Sequence, residues 1–176
     1  MTRLYLTFLL TCFLGSHAQE VVTFKDKSLP ATPEWSFICE TYVLGGQCDV
    51  RVARTETGGL LRLSLPVATA EHYIGGTVYI YLTDNTVITC TDKGLREAGD
   101  KRAVSWYVFT AKEMERLKKA DIQFLRFVIR GSQRPFTGQT GFFTAENRKS
   151  YFGTFGDKAP NRFATGEAVK TLYSTP

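Results

Sequence analysis

The chain has 176 residues, a formal net charge of +5, four cysteines and two histidines. That length suits one domain with a real apolar core, and the modest basic excess allows an anionic partner without specifying one. Two histidines are too few for a zinc site built on them, and the patterns His-Glu-x-x-His, Gly-x-Ser-x-Gly and Cys-x-x-Cys are absent.

Residues 1–18 read as a secretory leader. Arg3 gives a short positive start, residues 4–14 are an apolar run, and Ser16 and Ala18 supply small residues at the positions that signal peptidase reads. The run is shorter than the ~20 residues of a membrane span, and no second apolar stretch is long enough to cross. Cleavage near Ala18 would leave residues 19–176 as a single β-rich domain, periplasmic or secreted. The competing reading is lipidation of Cys12, which Thr11 and the halved apolar run disfavour. The leader resembles those of exported Bacteroidota proteins, which often end in Ala-Gln; the resemblance covers the leader alone and implies export, not function.

Residues 21–24 predict an edge strand. Residues 25–33 are charged, contain Pro30 and Pro33, and read as a connector. Alternation over residues 35–43 and 48–54 predicts two strands, with Trp35, Phe37 and Cys39 inward on the first and Cys48, Val50 and Val52 inward on the second. Thr57-Gly58-Gly59 is a turn, and Leu61, Leu63 and Leu65 line the next strand. These elements recur at roughly ten-residue spacing, as in a sandwich or barrel. Three cysteines outside the leader, Cys39, Cys48 and Cys90, predict one disulfide and one free thiol in an oxidising compartment.

Residues 77–83 alternate Val78, Ile80 and Leu82 against Tyr79 and Tyr81. A two-residue turn at Asp84-Asn85 would place Tyr81 opposite Ile88 and Tyr79 opposite Cys90. Both faces of this hairpin are then partly apolar, which predicts that both are covered. Residues 93–101 read as a loop and 103–109 as a strand. Thr110-Ala-Lys-Glu113 is a capping box opening a short helix. Residues 122–130 predict a further strand. The helix would either cross between parallel neighbours or plug one end of an antiparallel structure. Thr165 would cap a C-terminal helix with Ala168, Val169, Leu172 and Tyr173 on its apolar face. The expected fold is therefore mainly β: one sandwich or barrel-like domain of about seven strands, a short helix after the strand ending at Phe109, and a C-terminal helix.

The region 131–163 is rich in glycine, aromatic rings and positive charge. Rings stack on sugars, and arginines pair with carboxylate or phosphate groups. Arg134, Phe136, Phe143 and Arg148 are the binding candidates. The competing reading packs Phe142, Phe152 and Phe155 into the core as a last hairpin. His72, the one histidine outside the leader, reads as a solvated or hydrogen-bonded loop residue. No catalytic residue, metal site or cofactor is assigned. The expected role is a non-enzymatic exported module of the bacterial envelope, binding an anionic glycan or a partner protein rather than nucleic acid. One alternative is an envelope hydrolase using loop carboxylates such as Glu71, Asp84, Asp92 and Glu97. The other is a carrier with a closed apolar pocket lined by Trp106 and Tyr79.

Overall fold

The computed structural model describes residues 20–42, 44–99, 101–132, 138–152 and 161–174; residues 1–18, read above as a leader, lie outside them. The fold is mainly β, as expected, but it is one curled, half-barrel sheet of eleven strands rather than a seven-strand sandwich. In chain order the strands are β1 (Glu20–Phe24), β2 (Lys27–Ala31), β3 (Trp35–Ile38), β4 (Gln47–Arg54), β5 (Gly58–Pro66), β6 (Tyr73–Leu82), β7 (Val87–Cys90), β8 (Arg96–Gly99), β9 (Arg102–Thr110), β10 (Ile122–Arg130) and β11 (Gly141–Glu146). Helix α1 (Ala111–Leu117) follows β9, and α2 (Thr165–Ser174) ends the described chain. Among the described residues no helix is long and apolar enough to cross a membrane.

The main path runs β7-β6-β10-β11-β3-β4-β5-β9-β8, and every pairing is antiparallel. β11 meets β3 through a single register pair, Glu146 with Ile38. On the other side the sheet curls until β6 meets β9. There the buried Ser105 hydroxyl donates to the Ile74 carbonyl at 2.8 Å. Side chains, not a backbone ladder, therefore close this seam.

The concave face encloses the main core, with Phe37, Val50, Leu63, Ile80, Tyr107 and Phe127 essentially inaccessible to water. Burial of each such side chain contributes about 1.5–3 kcal/mol. α1 plugs one end with Met114 and Leu117. It joins β9 to β10, which are not neighbours, so it is no parallel crossover. The capping box at Thr110 and Glu113 forms as read from the sequence. α2 differs in its cap. Thr165 is its first residue and accepts from the Ile122 N–H at 2.7 Å, while Asp121 Oδ1 accepts from the Gly166 N–H at 2.7 Å. Glycine suits that position because a Cβ would press on Ala120 at 3.3 Å.

Three further expectations fail. The supposed connector holds β2, which pairs with β1 along its whole length. Pro30 is tolerated because β2 meets the body through only one register pair, Ala31 with Ala53. The β1–β2 hairpin thereby covers a second apolar cluster on the convex face, formed by Ala53, Leu60, Val104 and Trp106, with Phe24 against Trp106 at 4.9 Å. The loop 93–101 contains β8, which pairs with β9. The central hairpin turns over three residues, with Asn85 left-handed at φ 64° and the Leu82 N–H donating to the Thr86 carbonyl. Tyr81 therefore faces Val87, and Tyr79 faces Thr89, one residue off the expected register.

Cys39, Cys48 and Cys90 are buried free thiols in place of the expected disulfide and single thiol. Cys48 lies opposite Phe37 and Cys90 opposite Val78, so no two of them are direct cross-strand partners. Burial pushes the Cys39 thiol up to about 11 and Cys90 up to about 12, and raises Cys48 as well. Unfolded thiols ionise near ~8.5. The folded state then holds more protons above that pH, so this contribution to stability is full below it and is lost as pH climbs towards about 11 to 12. Thermal midpoints should fall across that alkaline window. Thiol labelling of residues 19–176 should be slow when the protein is folded and should find all three cysteines when it is denatured without reductant. A single reactive thiol would restore the bridge.

Candidate functional site

Among the described residues nothing covers the sheet face turned away from the main core over β6, β10 and β11. Strand parity decides which side chains stand there. On β10 the inward set is Leu125, Phe127 and Ile129, leaving Phe124, Arg126, Val128 and Arg130 outward. On β11, Phe143 and Ala145 go in, and Phe142, Thr144 and Glu146 go out. On β6, Ile74, Val78, Ile80 and Leu82 are inside, so Tyr79 and Tyr81 face out. Register then sets Arg126 between Tyr79 and Thr144, and Phe142 beside Val128.

The result is a groove floored by Arg126. Tyr79 is 41% exposed and Phe142 77% exposed on its two sides. Thr77, Tyr79, Tyr81, Arg126, Phe127 and Phe142 line a depression of about 260 Å³. Tyr81 and Phe124 stack at 4.3 Å, with 17° between their planes, and close one end. No described carboxylate forms an ion pair with Arg126, so its charge is uncompensated. A β-bulge shapes the rim: Arg126 opposes Tyr79 while Val128 opposes Gly75, leaving Gly76, Thr77 and Val78 against Phe127 alone. Gly76 takes φ +77°, a conformation that suits glycine, and its N–H donates to Asp92 at 2.8 Å. Bulges of this kind re-aim side chains.

Across the Phe142 ridge lies a second depression of about 240 Å³, lined by Ile38, Glu40, Thr41, Phe142, Thr144 and Glu146. Arg148 bridges its two carboxylates, pairing with Glu40 and, through Nε, with Glu146 at 3.1 Å. The hydrogen bond to Glu40 is the main cause that raises the Arg148 pKa. A third depression, of about 500 Å³, lies at the end of β10 and β11 and includes Phe124, Glu146, Arg148 and Arg162.

The structure separates the residues picked from sequence. Arg134 and Phe136 lie outside the described residues. Phe143 is not a surface ring: it is 6% exposed and packs edge-on against Tyr42 at 5.1 Å. Its neighbour Phe142 holds the surface position, because β11 alternates with the opposite parity. Arg148 stands at the surface but is neutralised by its two glutamates. The competing core reading fails for Phe142 and also for Phe152, which is 87% exposed; Phe155 lies outside the described residues. Arg126 was missed and Tyr79 was named only as lining a closed pocket, although their outward parity on alternating strands was a usable signal.

The alternatives fare as follows. Trp106 is buried beneath the β1–β2 hairpin and Tyr79 is exposed elsewhere, so they share no closed pocket. Each candidate loop carboxylate is engaged locally. Asp84 accepts from the Thr86 amide and hydroxyl, which lowers its pKa. Asp92 accepts from Gly76 and Gly94 and pairs with Arg96. Glu97 accepts from the Trp106 indole, and Glu71 from Ser132. His72 is buried and hydrogen-bonded, the second of the two expected states, with Nδ1 2.9 Å from the Thr69 hydroxyl. Comparison of the chain with protein-family models, with curated proteins and with solved structures gives no match.

Proposed function

We propose that this chain is an exported, non-enzymatic binding module of the bacterial envelope, and that the outward face of β6, β10 and β11 takes an anionic glycan. One observation carries the reading: the Arg126 guanidinium, which pairs with no described carboxylate, lies between the exposed rings of Tyr79 and Phe142. A planar guanidinium binds carboxylate through paired hydrogen bonds. The flanking rings offer apolar surface to the C–H faces of a sugar. Thr77 and Thr144 add hydroxyls that hydrogen-bond in either sense. A protein partner fits less well, because interface cores exclude charge and gather contiguous apolar surface. Here Arg126 stands between Phe142 and the rings of Tyr79 and Tyr81.

The test is affinity electrophoresis of the leaderless protein through gels containing polygalacturonate or, as control, neutral dextran. Retardation by polygalacturonate alone, weakened by salt, is the expected result. Arg126→Ala should reduce that retardation about tenfold or more, since a charge-assisted hydrogen bond contributes about 1.5–3 kcal/mol. Equal mobility in both gels would remove the glycan reading.

A further inference from the structure

The two depressions that share Phe142 have opposite electrostatic character. Among the described residues Arg126 is the one charged side chain lining the first. The second contains Glu40 and Glu146, and Arg148 supplies one positive charge against the two negative ones. Arg148 engages one oxygen of each glutamate, Oε1 of Glu40 and Oε2 of Glu146, and no described residue donates to the other oxygen of either. Those free oxygens suit hydroxyl donors and repel a second anion. Each depression is also smaller than the ~300 Å³ at which sites for drug-sized ligands begin. A ligand that fills the face must therefore cross the Phe142 ridge.

We infer, building on the glycan reading above, that the groove selects an alternating glycan, with an acidic sugar on Arg126 and an adjoining neutral sugar on Glu40, Thr41 and Thr144. The first depression lies over β10 and the second between β11 and β3. Their centres are then about one and a half strand spacings apart, roughly 7 Å. One short saccharide crossing the strands can therefore reach both depressions. Phe142 divides the sites and stacks on the linkage between them. A homopolymer of acidic sugars would place every second carboxylate against Glu40 and Glu146.

The experiment is calorimetric titration of the leaderless protein with four probes: glucuronic acid, a tetrasaccharide of galacturonic acid, an alternating tetrasaccharide of glucuronic acid and N-acetylglucosamine, and an alternating glutamate–lysine tetrapeptide. The alternating tetrasaccharide should bind at least tenfold more tightly than the homopolymer of equal length, and the single sugar weakest of the saccharides. Glu40→Gln should raise affinity for the galacturonic tetrasaccharide several-fold and narrow the gap. Glu40 is a surface residue, so this variant keeps the fold. Equal affinities for the two tetrasaccharides, still lost in Arg126→Ala, would overturn the alternation and leave the glycan reading intact. Binding of no saccharide, or of the peptide alone, would overturn both.

Discussion

Phe143→Ala should lower the unfolding free energy by about 3–5 kcal/mol, the range for truncating a buried phenylalanine. Phe142→Ala, one residue earlier, should change it by less than about 0.5 kcal/mol. The contrast follows from strand parity. Phe143 packs against Tyr42 and Phe127 inside the sheet, whereas Phe142 stands 77% exposed on its outer face. Ligand binding should reverse the order of importance. Phe142→Ala should weaken saccharide binding about fivefold, equivalent to ~1 kcal/mol of ring contact. Urea unfolding and titration of the same two variants give both readouts. If Phe142→Ala destabilised the protein as Phe143→Ala does, the ring would be a packing residue and the face would lose its central contact.

Asn147→Leu is expected to cost about 2–4 kcal/mol. The buried Asn147 amide donates to the carbonyls of Ile122 at 2.7 Å and Phe163 at 2.9 Å, and its oxygen accepts from the Phe163 N–H at 2.8 Å. Two carbonyls and one N–H fix which end of the side chain is nitrogen. One side chain thus ties the start of β10 to the segment leading into α2, just beyond the end of β11. Leucine keeps much of the volume but leaves three backbone groups without partners. An unsatisfied buried group costs about 1–3 kcal/mol, and partial exposure of Phe163 moderates the sum. Urea denaturation checks this. A loss below 1 kcal/mol would mean that water replaces the amide.

Elements whose signals are local could be read from the sequence. The capping box of α1 needs only Thr110 and Glu113. The inward sets of β4, β5 and β10 follow from simple alternation, as does the burial of Cys39 and Cys48. Features set by distant partners could not be read. Pro30 argued against a strand because the sequence does not show that β2 barely joins the body. The turn after Leu82 takes three residues instead of two, and that single residue shifts the register of the tyrosines. Phe142 and Phe143 are chemically identical neighbours, and only the register of β11 on β10 says which one faces out. The pairing of Arg148 with Glu40 spans more than a hundred residues. For the same reason the uncompensated charge of Arg126 became visible only when its neighbours on β6 and β11 were in place.

The most direct test of the binding face is an amide-resolved NMR titration of the leaderless protein with the alternating acidic tetrasaccharide. Shift changes should concentrate on β6, β10 and β11 around Tyr79, Arg126, Phe142 and Thr144, and should be absent in Arg126→Ala. Changes centred instead on the β1–β2 hairpin and β9, or unaltered by Arg126→Ala, would contradict this assignment.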